Sequence, residues 1–264
     1  MKRTVTGISP VWPEEAKQDE LAALPLRARA YVVGVTVIGA VCIAIAAYLA
    51  KRERPGLFLA LLVLSSLAST LKLSLPLSRR ASSLSLSYAI NMVALILLGP
   101  HRTTLVAVVG AWSQCTFRMR DRSSLHRTLF SMASLAVTVQ ATGVVFALVR
   151  GGNTDFLFGL FQPLVAATII YFLLNTGLVA GAIAGAARWS IFKVWYDNFL
   201  WSGPSYFAGA MVAALASVII ERGSYYWWVA LIAAPTYLTY RSYRVFIQRI
   251  EDEREQVRRL WDGS

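Results

Sequence analysis

Acidic residues, histidine and cysteine are all scarce in this chain. Of 264 residues only 14 are Asp or Glu, two are His and two are Cys. Charged residues make up 15% of the chain, against about 25% in an ordinary soluble domain. A soluble globular enzyme of this length could not cover its surface with so few polar groups. A disordered chain is excluded by the 56% hydrophobic content, and a disulfide framework by the cysteines: Cys42 and Cys115 each lie in an apolar run. What is present instead is long apolar runs separated by short basic clusters, with a mean hydropathy of +0.54 and a net charge of +12. This is the composition of an all-α polytopic membrane protein.

A net charge of +12 also suits nucleic-acid binding, but that requires a basic face on a soluble surface. Here the 26 Lys and Arg fall between hydrophobic runs, so no nucleic-acid partner is expected. The N-terminal 24 residues carry Glu14, Glu15, Asp19 and Glu20 where a signal peptide would have its apolar stretch, and they read as a cytoplasmic tail.

About eight segments approach the 20 or so residues that a bilayer crossing needs. They are 30–50, 57–75, 84–99, 103–117, 128–149, 157–187, 199–220 and 224–240, within a bundle spanning 25–240. The third and fourth are short, separated only by Pro100, His101 and Arg102, and could be tilted or re-entrant. With the N-terminus inside, alternate connections hold 20 Lys and Arg on the inner side and 6 on the outer. The positive-inside rule then places both termini in the cytoplasm of a bacterial inner membrane.

Two stretches look interfacial. Around residues 188–200, Trp189, Phe192, Trp195, Tyr196 and Phe199 share one helical face, opposite Ser190, Lys193 and Asp197, as on a helix lying along the membrane surface. Tyr225, Tyr226, Trp227 and Trp228 form an aromatic belt at the other interface. Residues 241–264 continue as a polar helix. Phe246, Ile250, Val257 and Leu260 sit at coiled-coil spacing, and with Arg254 and Arg258 they are the candidates for transmitting a signal or for binding a protein partner or a second copy.

The apolar cores of the spans carry no ionisable residue, which argues against pumps, proton-coupled carriers and voltage sensors. No catalytic constellation, metal-ligand spacing or cofactor motif appears, so the chain reads as a non-enzyme without a cofactor. Four amides remain inside spans: Asn91, Gln114, Gln140 and Asn175. They could converge on a cavity that reads a polar, uncharged ligand, or each could tie two helices together. In ASSLSLSYAIN, Ser83, Ser85 and Ser87 alternate with leucine. An extended lead-in would line a pocket with hydroxyls, while a plain helix would scatter them. Ser85 and Ser87 join the amides as ligand-binding candidates. Gly177, Gly181 and Gly185 form a smooth helix-packing stripe, with a helix of the same chain the expected neighbour.

The segments LPLRARAYV, LSLSYAINMVALILLGP, LHRTLFSMASLA, NFLWSGPSYFAGA and TYLTYRSYRVFIQRIEDERE resemble MASE-like bacterial sensor domains. These are multi-pass modules that precede HD-GYP, GGDEF or histidine-kinase outputs, and the resemblance runs from Leu24 to Arg259. It implies signal input through the exiting helix, with Arg241 to Leu260 as the transmitter, and the chain is then read as a non-catalytic membrane sensor that binds a small or lipid-like ligand between its helices. No output domain follows before Ser264, so a stand-alone relative, a shortened form and a recruited module all stay open. More distantly, the short helices and serine-rich lead-in are similar to substrate-capture subunits of energy-coupling-factor transporters. A third alternative is an accessory subunit of a larger membrane complex.

Overall fold

A computed structural model describes residues 25–50, 53–70, 86–116, 125–151 and 159–222. All regular structure among them is helical. The helices are α1 (Leu26–Leu49), α2 (Pro55–Thr70), α3 (Leu86–Leu98), α4 (Pro100–Thr116), α5 (Leu125–Arg150), α6 (Phe161–Ala187), α7 (Ile191–Asn198) and α8 (Gly203–Arg222), with a 3-10 turn at Leu200–Ser202 before α8. The expected eighth span, the N-terminal tail, the second aromatic belt and the C-terminal helix all lie outside the described residues.

Among the described residues four helices are long and apolar enough to cross a membrane: α1, α5, α6 and the unit formed by the 3-10 turn with α8. The apolar parts of α2 and α3 are shorter. The outward surfaces fit a lipid environment. Val33, Val37, Ile38, Val41 and Ile45 of α1 are exposed, as are Leu59, Val63 and Leu67 of α2 and Met211, Val212, Leu215 and Ile219 of α8. In water such contiguous apolar surface would aggregate. This is a membrane protein.

The least apolar helix of the bundle, α4, is also among its most enclosed. More than half of α4 is buried, including Thr103, Thr104 and Ser113, and it packs against α1, α2, α3 and α5. Its hydroxyls are satisfied locally: Thr103 Oγ1 donates to the Gly99 carbonyl at 2.7 Å and Thr104 Oγ1 to the Pro100 carbonyl at 2.9 Å. The same four-residue back-bonding recurs at Thr138, Thr142, Thr168 and Ser217. A buried hydroxyl that bonds its own helix needs no neighbour, which lets polar residues sit inside the bundle without defining a cavity.

Pro100, His101 and Arg102 are not the loop that their residue types suggest but the first turn of α4. Gly99 alone makes the bend, at a φ of 77° that favours glycine. Arg102 is therefore a helical residue only 7% exposed, and the helices do enclose an ionisable group, contrary to the sequence expectation. Proline tolerates a helix start because its missing N–H is not needed there, which is why a proline that looks like a break begins α4.

Candidate functional site

Helices α3, α6 and α8 meet around three tyrosines. Tyr88 of α3 lies edge-on to Tyr171 of α6, with centroids 4.8 Å apart, and 4.7 Å from Tyr206 of α8. Tyr206 also meets Phe172 of α6 at 5.2 Å, and Phe172 meets Trp195 of α7 at 5.8 Å. Close approach depends on Gly209: a Cβ there would come within 2.9 Å of the Tyr88 ring.

Polar atoms lace this aromatic cluster together. The Tyr88 hydroxyl donates to Thr168 Oγ1 at 3.2 Å. Asn91 Nδ2 donates to the Tyr171 hydroxyl at 3.2 Å, and Asn175 Nδ2 to the Tyr206 hydroxyl at 2.9 Å. Trp195 Nε1 donates to Thr176 Oγ1 at 2.8 Å, which ties α7 to α6. Asn91 is 2% exposed, and its Oδ1 accepts no hydrogen bond among the described residues. An amide oxygen buried without a donor costs about 1–3 kcal/mol. Among the described residues of this cluster it is the side-chain atom buried with no hydrogen-bond partner at all.

Of the candidates read from the sequence, Asn91 and Asn175 come together here through their tyrosines. Gln140 lies elsewhere, its Nε2 3.3 Å from His101 Nδ1. Gln114 is half-buried near the end of α4. The four amides thus fall in three surroundings rather than one cavity. Ser87 is helical, near the start of α3, so the extended alternative does not reach it, and Ser85 lies outside the described residues. Phe246, Ile250, Arg254, Val257, Arg258 and Leu260 also lie outside them.

The glycine stripe of α6 faces α1. A Cβ on Gly181 would come within 2.6 Å of the Tyr31 hydroxyl, which donates to the Leu178 carbonyl at 3.1 Å, and one on Gly185 within 3.2 Å of Ala28. Gly177 has open space beside it.

The interfacial helix forms, but its aromatic residues divide. Val194 is buried, and Trp195 and Phe199 pack with it against Ala180, Ile183 and Ala184 of α6. Trp189, Phe192, Tyr196 and Trp201 stay exposed, with Phe192 and Tyr196 stacked at 6.2 Å. One edge anchors to protein while the other leaves aromatic surface exposed.

The tyrosines and Thr168 are not among the residues that sequence reasoning singles out, yet a signal existed. Thr168, Tyr171, Phe172, Asn175 and Thr176 recur at helical spacing along one face of α6, and Tyr88 and Asn91 are three apart on α3. Among the described residues no cluster of three or more His, Cys, Asp or Glu could hold a metal ion.

The family model MASE9 matches residues 42–245. No curated protein and no solved structure matches the chain.

Proposed function

The chain belongs to the MASE9 family of membrane-associated sensor domains, a non-catalytic membrane family, and from that premise we propose that it is a sensor module. It binds a small or lipid-like ligand between α3, α6 and α8 and passes a shift to a cytoplasmic partner through residues 241–264. The reading is carried by the buried Asn91 Oδ1, an acceptor without a donor in the cluster where the three helices meet. A ligand bearing a hydroxyl or amide N–H would satisfy it, and α8 would carry the displacement because Tyr206 sits in its first turn. Asn175, bonded to Tyr206, belongs to the same reading. Gln114 and Gln140 sit apart from the cluster in the same bundle, Ser87 directly precedes Tyr88 on α3, and Ser85 precedes α3.

Both termini face the cytoplasm in this proposal, on the strength of the charge bias, with α7 on the cytoplasmic surface of a bacterial inner membrane. Deletion of 245–264, and separately charge reversal at Arg254, Arg258 and Arg259, tests the transmission step in the native membrane. Either change is expected to reduce cross-linking of the chain to its cytoplasmic partner, or to a second copy, at least tenfold, while the bundle still folds. Undiminished cross-linking after deletion contradicts transmission through this segment.

A further inference from the structure

At the end of the bundle opposite α7, the turn between α1 and α2, the α3–α4 bend and the last turns of α5 and α8 enclose a cleft of about 340 Å³. Its charged lining is Glu53, Arg54, Arg102, Arg150 and Glu221, with His101 beside them. Connections far apart in sequence have brought their arginines to one place.

The charges do not cancel. Arg54 and Glu221 form a two-pronged ion pair, at 2.7 and 3.0 Å, so each neutralises the other. That leaves Arg102 and Arg150 against Glu53. Arg102 is the anomaly. Its guanidinium lies 5.3 Å from the Phe58 ring centroid, and among the described residues no carboxylate pairs with it. It also sits in the first turn of α4, where unsatisfied N–H groups and the helix dipole already produce positive potential, and a cation there is unfavourable. A buried charge is costly unless paired. Arg150 is half-buried, its guanidinium 5.9 Å from the Phe146 ring centroid. A helix N-terminus, an arginine more than nine-tenths buried and a second arginine thus bear on one polar cavity. Such a site suits a planar or tetrahedral oxyanion, which takes two parallel hydrogen bonds from a guanidinium and more from helix N–H groups.

We propose that this cleft is a binding site for an oxyanion, a phosphate or carboxylate group, held by Arg102 with Arg150 at its side. The group belongs either to a soluble small molecule or to an anionic lipid headgroup, since the cleft opens at an end of the membrane-spanning bundle. Occupancy would brace the α1–α2 turn against α8, because Glu221 lies in the wall and is locked to Arg54. The site is separate from the tyrosine cluster and stands or falls independently of the ligand proposed there.

The test uses the full chain in nanodiscs of phosphatidylcholine, with inorganic phosphate or succinate titrated against chloride at constant ionic strength. Thermal unfolding is read by tryptophan fluorescence. A saturable rise in Tm with either oxyanion, and a midpoint at least tenfold higher in Arg150→Gln, supports a soluble ligand. Arg150 is half-buried, so its variant folds even if Arg102→Gln does not. Retention of phosphatidylglycerol over phosphatidylcholine in native mass spectra, lost in Arg150→Gln, supports the headgroup instead. Arg188→Gln, at the far end of α6, is the control and should leave both readouts unchanged. The proposal is overturned if neither oxyanion nor phosphatidylglycerol binds, or if binding is equal in chloride or indifferent to Arg150→Gln.

Discussion

At the residue scale, the bundle is held by close approaches rather than by size. Gly39 of α1 sits against the Ala133 backbone of α5, and an added methyl would collide with main-chain atoms that cannot turn aside. Overpacking of this kind costs about 1–3 kcal/mol or more. Gly39→Ala should therefore lower Tm clearly in detergent, while Gly177→Ala, with open space at its Cβ, should leave it unchanged or slightly raised. Equal effects would show that the α1–α5 crossing is not where the constraint lies. This difference was not legible in the sequence. The Gly177, Gly181 and Gly185 spacing identifies a smooth stripe, but only the crossing point decides which glycine is indispensable. A single Gly39 produces no periodic signal at all. Ala40 and Ala44 of α1, at the same four-residue spacing, are exposed, so small-residue spacing alone does not pick out a packed face.

The element scale shows why most helices could be located from their apolar runs while their neighbours could not. Burial in lipid demands an unbroken hydrogen-bonded backbone, so long apolar runs must be helices wherever they pack. The fourth helix escaped the correct boundary because proline and two polar residues look like a turn, whereas they begin α4 and bury Arg102 in the protein. For α7 the sequence places an amphipathic helix at the right residues but treats its aromatics as one face. In the folded chain Trp195 differs from the others, because its indole N–H is bonded to Thr176 and its ring packs on Phe172. Replacing Trp195 with Ala should undock α7 and raise the rate of tryptic cleavage at exposed Lys193 several-fold. Trp189→Ala, which removes an already exposed ring, should not. Cleavage rates that match between the two variants would contradict docking through Trp195. The hydrogen bond itself is worth about 0.6–2 kcal/mol inside a bundle, so ring packing must supply part of the effect.

Across the whole molecule, the two polar features occupy different ends. The tyrosine cluster lies toward α7, and the arginine cleft lies where Glu221 ends α8. Tyr206 and Glu221 are 15 residues apart on one helix, about 22 Å at about 1.5 Å per residue. One rigid element therefore borders both features. The sequence showed the charges as an orientation signal. It could not show that Arg54, Arg102 and Arg150, spread over about a hundred residues, meet in one cleft, because that depends on helix order around the bundle. Likewise the amides were visible as polar residues in apolar runs, while their pairing with tyrosines needed the α3–α6–α8 junction. The most direct test of the sensor reading is native mass spectrometry of the full chain released gently from its own membrane, compared with Asn91→Leu. Leu keeps the branched shape while removing the unpaired acceptor and, with it, the Nδ2 donor to Tyr171, so the bundle should persist with a lower Tm. A defined small molecule or specific lipid is expected on the unaltered chain and lost from Asn91→Leu. It should stay bound when Arg254, Arg258 and Arg259 are reversed in charge. Bulk lipid alone on every form, or a ligand indifferent to Asn91, would contradict the sensor reading.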